Sequence, residues 1–228
     1  MKILKNVDID ELVEEGEGVQ LEFKRKFTTA EKIVRTLIAF ANTSGGCLLI
    51  GIDDDGTIIG VESEKEEIEP IYYAAQYLSY PPVEVDVQLI PYKAKRIIVV
   101  CYVQESETKP HRYIGVAKNK IRFQTGVFIR VKDKTVEASK EAVEIIKSTI
   151  GKSSLLKITM GGYEKELLSY LDAHDSITYK EYCEMFQVPP RRASRIFVRL
   201  VRAGVLELNI NEKEDCYRLR AKNDNGDS

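Results

Sequence analysis

Histidine and cysteine are scarce in this sequence. Two histidines, His111 and His174, and four cysteines, Cys47, Cys101, Cys183 and Cys216, are spread over 228 residues. No two cysteines form a CxxC-type pair, so the ligand spacing of a zinc cluster is missing. Reduced thiols in a cytoplasmic protein are the plain reading. Long apolar runs are absent too. The stretch Ile97 to Val103 is far too short to span a bilayer, and Met1 to Asp8 has no apolar leader core, so no membrane association is expected. There is no GxxxxGK loop. Ser44-Gly45-Gly46 lacks the lysine that a phosphate-cradling loop requires, which argues against nucleotide hydrolysis. Basic charge is not in excess: 34 Lys and Arg stand against 36 Asp and Glu, a formal net charge of -2. Any contact with a polyanion therefore needs cations concentrated in one place.

With 43% apolar and 31% charged residues, the chain can bury a core. Its length favours two modest domains. Residues 8–16 are acidic and read as a short helix or arm. Val19 to Lys24 alternates with period two, which puts Val19, Leu21 and Phe23 inward and Gln20, Glu22 and Lys24 on the outer face. Thr28-Thr29-Ala30-Glu31 fits a capping box, opening a helix with Ile33, Val34, Leu37, Ile38 and Ala41 on one side and Ser44-Gly45-Gly46 at its end. Cys47 to Ile52 is continuously apolar, as in a strand buried on both faces. Asp53 to Gly56 reads as a turn, with Thr57 to Val61 returning as a hairpin partner. A second helix is expected over 65–79, with Pro70 near its first turn, then strands near 83–90 and 96–104. Residues 105–120 read as an exposed loop in which Lys109, His111 and Arg112 are candidates for phosphate contact. Strands near 121–124 and 127–132 follow, and Ser139 is placed to cap a helix over 140–149. The expected class is α+β, with a mixed-sheet first domain at 1–149. A linker is expected at 150–162, a smaller domain at 163–221 and a disordered tail at 222–228.

The smaller domain reads as three helices and a hairpin, the winged helix-turn-helix order. Leu167, Leu168 and Leu171 stripe the first helix. Thr178 and Glu181 make a capping box for the second. Pro189-Pro190 opens the third, where proline is well placed, and Gly204 ends it. This third helix carries Arg191, Arg192, Arg195, Arg199 and Arg202, with no acid between Pro189 and Gly204. At about 100° per residue, Arg192, Arg195, Arg199 and Arg202 share one side and Ala193, Ile196, Phe197, Leu200 and Val201 the other. Guanidinium groups on an otherwise core-packed helix suit a DNA groove, gripping phosphate or reading guanine. The plain alternative is a solvated basic face. The acidic wing tip, Glu212 to Asp215, would repel phosphate and suits a protein-docking module instead.

Three motifs in order, Glu17-Gly-Val-Gln-Leu-Glu22-Phe23-Lys24, Ala39 to Gly46, and Leu49 to Gly56 with Ile59-Gly60-Val61, resemble the Schlafen-type AlbA-like domain. Lys109-Pro110 and Phe128-Ile129-Arg130-Val131 continue the likeness, which covers about residues 12–147. The resemblance implies a nucleic-acid-binding domain. With a C-terminal helix-turn-helix it implies a transcriptional regulator, DNA being favoured over RNA and a homodimer expected. Some animal Schlafen proteins resemble RNA endonucleases with two glutamates five apart and a later aspartate. Glu17 and Glu22 match the glutamates, and Asp53, or Asp54, matches the aspartate. In that alternative the three carboxylates hold Mg²⁺ or Mn²⁺ to activate water, and Lys24 neutralises a phosphate. A binding protein needs no cofactor. The ordinary readings of the same residues are an exposed loop for Glu17, a surface pair of Glu22 and Lys24, a turn for Asp53, and a carboxylate partner for Arg130, Glu22 among the candidates.

Overall fold

The computed structural model describes residues 8–116, 123–148, 160–211 and 213–220. The chain divides into two compact units, Met1–Ala138 and Ser139–Ser228. Residues 150–159 of the expected linker and the tail 222–228 lie outside the described residues.

The first unit is mixed α+β. In order its elements are α1 (Ile9–Glu15), β1 (Leu21–Lys24), α2 (Ala30–Asn42), β2 (Gly46–Ile50), α3 (Glu64–Tyr77), β3 (Ser79–Tyr80), β4 (Val85–Tyr92), β5 (Arg96–Val103), β6 (Arg112–Val116), β7 (Phe123–Gly126), β8 (Phe128–Val131) and β9 (Lys134–Glu137). The main sheet has the order β1-β2-β5-β4. The β1–β2 pair is parallel and the other two pairs are antiparallel. The apolar run at β2 is covered on both faces, as its composition implies. Leu48 and Ile50 join the core beneath α2 and α3, with Val99 and Cys101 of β5. Cys47 and Leu49 face the opposite cluster, with Leu21, Phe23 and Val100, where Ile9 and Leu12 of α1 pack. A central strand has no free edge. The segment after the Asp53–Gly56 turn therefore makes only an isolated bridge, Ile52 to Ile58, and not a hairpin partner of β2.

Several local expectations shift. The cap of α2 is Thr29, whose side chain accepts from the Lys32 N–H at 3.3 Å; Glu31 pairs with Arg35 instead. Pro70 lies in the second turn of α3, where its ring leaves the carbonyl of Glu66 without a helical donor. Residues 105–120 are not one loop. Arg112–Val116 forms β6, the centre of a sheet ordered β3-β6-β7. It is ordered between β3, far back in the chain, and β7. Residues 117–120 lie outside the described residues. Val19 is exposed, whereas Glu22 is nearly buried.

The second unit contains α4 (Lys140–Ser148), α5 (Gly162–Ala173), β10 (Ile177–Thr178), α6 (Tyr179–Met185), α7 (Pro190–Arg202), β11 (Leu206–Asn209) and β12 (Cys216–Leu219). Helix α4, which the sequence reading assigned to residues 1–149, packs on α7 and belongs to this unit. The Ser139 hydroxyl caps it through the Ala142 N–H at 3.1 Å. Thr178 and Glu181 form the expected capping box of α6. Gly204, at φ 71°, ends α7. Its N–H donates to Val201 and that of Val205 to Leu200, so two terminal carbonyls are satisfied. Leu167, Tyr182, Phe197, Leu200, Leu206 and Tyr217 fill the core between the helices and a sheet ordered β10-β12-β11.

Candidate functional site

In the first unit, β1 and the loop before it carry the matched glutamates. Glu22 sits between two cations. Its Oε1 is 2.8 Å from Nζ of Lys24, and its Oε2 is 2.6 Å from Nη1 of Arg130. Arg130 enters from β8 with a fully buried side chain. It donates further to Thr135 Oγ1 and to the carbonyls of Gly18 and Asp133, and its guanidinium lies 5.1 Å from the centre of the Phe40 ring. The ion pair expected as one option for Arg130 is therefore present. It is a structural clamp between β1 and β8. Glu17 accepts the Phe23 N–H at 2.7 Å, which folds its loop back onto β1, and stands 4.0 Å from Lys24.

Asp53 lies elsewhere in its bonding. Its Oδ2 pairs with Arg25 at 3.2 Å, and its Oδ1 accepts the Asp54 N–H. Among the described residues, no three His, Cys, Asp or Glu side chains are grouped to hold a metal ion. Glu22 has both oxygens held by cations, and Glu17 has an oxygen committed to a backbone N–H. In this arrangement Glu22 and Glu17 are bound to protein partners on β1 and β8, and Asp53 is paired with Arg25. Beside them is an open cleft of about 360 Å³ lined by Glu22, Lys24, Lys32, Thr36, Asp133 and Thr135.

The two cations of the expected loop part company. Lys109 is only 13% exposed. Its Nζ donates to the Thr43 carbonyl at 3.1 Å and pairs with Glu105, so it ties down the end of α2. Arg112 is partly exposed on β6, opposite Tyr80 of β3. His111 is buried, with Nδ1 2.8 Å from the Pro81 carbonyl and Nε2 2.7 Å from Ser106 Oγ. Burial holds its imidazole below the ordinary 6.5. Asn42, the last residue of α2, does more than end a helix. Its Nδ2 donates to the carbonyls of His111 and Phe128, both at 3.0 Å, and its Oδ1 accepts the His111 N–H at 2.8 Å. Gly46, the first residue of β2, has no room for a side chain, because a Cβ there would clash with the Phe40 ring.

In the second unit, α7 buries Ala193, Ile196, Phe197 and Leu200. Arg191, Arg192, Arg195 and Arg202 are exposed. The Arg192 guanidinium lies 4.5 Å from the centre of the Tyr163 ring on α5. Arg199 behaves differently from its neighbours. It pairs with Glu164, a buried carboxylate of α5, and is bound to the fold. No local pattern marks Glu164 as that partner, because α5 and α7 meet only in the tertiary structure. Arg191, Arg192 and Arg195 border an open groove of about 590 Å³ with Pro189 and Ile196, and the Arg199–Glu164 pair lines it as well. Among the described residues no carboxylate forms an ion pair with Arg191, Arg195 or Arg202.

The sequence profile of the Schlafen, AlbA_2 family matches residues 17–139, more than half of the chain. The chain belongs to the Schlafen, AlbA_2 family. The match takes in β1 through β9, and with them the Glu22–Arg130 clamp and the Asn42 latch. Two solved structures are similar to this Schlafen, AlbA_2 chain. One is the N-terminal domain of a RecG-related protein from Nitrosomonas europaea, at 19% identity and a TM-score of 0.41, covering 69% of this chain and 97% of that one. The other is the DIP2311 protein from Corynebacterium diphtheriae, at 16% identity and a TM-score of 0.45, covering 83% of this chain; the matched part is 33% of that protein's length. No curated protein matches the sequence. Among the described residues, no helix is long and apolar enough to cross a membrane.

Proposed function

We propose that this chain is a DNA-binding regulator of transcription working in the cytoplasm, with its second unit a winged helix-turn-helix and α7 the recognition helix. One observation carries the reading. The outer face of α7 presents Arg191, Arg192, Arg195 and Arg202 to solvent, and the helix contains no acidic residue. An isolated cationic face on a core-packed helix is suited to phosphate and to guanine edges. The order α5, β10, α6, α7, β11, β12 supports it, with β10 joining the β11–β12 hairpin at Ile177 and Thr178. Duplex DNA is favoured over duplex RNA because an α-helix enters the wide major groove of B-form DNA and not the narrow one of A-form RNA.

Arg199 holds α7 to α5 through Glu164 and positions the helix. The contact set is then Arg191, Arg192, Arg195 and Arg202. The matched carboxylates of the first unit act in this reading as parts of the fold, with Glu22 neutralised by Lys24 and Arg130.

The test is a gel-shift titration of short duplex DNA with wild type and with the combined variant Arg191→Ala, Arg192→Ala, Arg195→Ala. Loss of the shift in the variant, with unchanged circular dichroism, is the expected result. Equal affinity of both proteins would overturn the reading.

A further inference from the structure

Four tyrosines in a nine-residue span of the first unit face solvent. Tyr72 is 47% exposed, Tyr73 53%, Tyr77 67% and Tyr80 66%. Helix α3 buries Ile71, Ala74 and Ala75 on its inner side, so its outer side has no role in the core of its own unit. Tyr73 and Tyr77 are one turn apart and lie against each other, with ring centres 5.4 Å apart. Aromatic surface of this kind is the usual material of a protein interface.

The charges around the tyrosines specify the partner. Seven residues before Tyr73, on the same helical stripe, is Glu66, exposed and without an ion pair among the described residues. Seven residues after it is Tyr80, and directly across the β3–β6 ladder from Tyr80 is Arg112. Opposed residues of a ladder project on the same face. Arg112 likewise has no ion pair among the described residues. The patch therefore has a free acid at one end, tyrosines in the middle and a free guanidinium at the other.

Such a surface complements itself when rotated by half a turn. We infer that α3 and the β3–β6 ladder form a two-fold interface between two copies of this chain. An axis near Tyr73 sets the two α3 helices antiparallel, stacks Tyr73 on its copy and lays Tyr77 beside Glu69 of the other copy. It also brings Arg112 to the partner's Glu66, since the helical half of the patch reaches about 10 Å from the axis at about 1.5 Å per residue. Such a contact is isologous, each half of the patch meeting the other half. The tyrosines offer roughly 500 Å² per copy, taking about 200 Å² for each side chain. A standard interface takes about 800 Å² per partner, so the flanking α3 face must join it. This contact stands whether or not α7 enters a DNA groove.

Sedimentation velocity on the full chain over a concentration series tests it, with four variants. These are Tyr73→Ala with Tyr77→Ala, Glu66→Arg alone, Arg112→Glu alone, and Glu66→Arg with Arg112→Glu. Glu66, Tyr73 and Tyr77 are exposed and Arg112 partly so, and circular dichroism checks each fold. Wild type is expected to dimerise. The tyrosine variant and each single charge reversal should weaken the dimer about tenfold or more, in line with like-charge juxtaposition at an interface. The double reversal should restore it, because it recreates both pairs with their signs exchanged. A wild type that stays monomeric would overturn the inference. So would a dimer indifferent to all four variants, or a double reversal that adds the two losses instead of cancelling them.

Discussion

Nη1 of Arg130 lies 2.6 Å from Oε2 of Glu22, across 108 residues of sequence. The contact ties the first motif of the family to β8, with the Glu22 carboxylate holding the buried guanidinium against β1.

Removing one partner should cost more than removing both. Glu22→Ala leaves a buried guanidinium with one bond fewer and an uncompensated charge, a loss of about 3–5 kcal/mol. The double variant Glu22→Leu, Arg130→Met should be closer to wild type than either single change. Urea unfolding of the set, with the interaction read as a double-mutant cycle, checks the order.

Asn42 holds three backbone groups at once. Asn42→Ala strands two buried carbonyls and one N–H, and each unsatisfied group costs about 1–3 kcal/mol. We expect a destabilisation of about 3 kcal/mol or more by denaturant unfolding. Thr178→Ala, which deletes only the capping box of an exposed helix start, should cost about 1 kcal/mol.

His111 should make the protein less stable in mild acid. Its folded pKa is lowered, chiefly by burial, from the ordinary 6.5. The unfolded chain therefore binds more protons as pH falls through 6.5. The stability due to neutral His111 is full above that pH and is lost as pH drops toward the folded value. Unfolding free energies measured across this window should slope in wild type. The slope should flatten in His111→Gln, which keeps a polar side chain without the titration.

Salt should separate the α7 arginines from one another. Each phosphate contact removed lowers the slope of log affinity against log salt by about 0.9. Arg191→Ala and Arg195→Ala should each reduce it by about that amount if they grip phosphate. Arg199→Ala should act instead through stability, because its partner is the buried Glu164. Gel-shift titrations at several salt concentrations, paired with thermal melts, distinguish the two.

Much of the frame was legible from the chain. Cys47 to Ile52 signalled a strand covered on both faces because no polar residue interrupts it, and α1 and α2 do cover β2. The capping box at Thr178 and the glycine stop at Gly204 are local chemistry and fell where their residues are. The arginine face of α7 followed from helical spacing alone. The strand β6 was not legible, since Arg112 to Val116 gains its order only by pairing with Ser79–Tyr80 and Phe123–Gly126. Nor was the fate of Lys109, which the fold brings to the Thr43 carbonyl, 66 residues away.

The sequence by itself determined the elements, because propensity, capping and apolar period act over a few residues. It also determined the family, because the ordered motifs of residues 17–139 are written in the chain. The tertiary structure alone decided which charges are free. Glu22 and Arg199 are each neutralised by a group brought from another element, and Lys109 is tied to the Thr43 carbonyl, while Arg112, Arg191, Arg195 and Arg202 have no such partner among the described residues. Pairing depends on distances of a few ångströms between segments far apart in sequence, and Coulomb attraction at that range has no signature in local pattern.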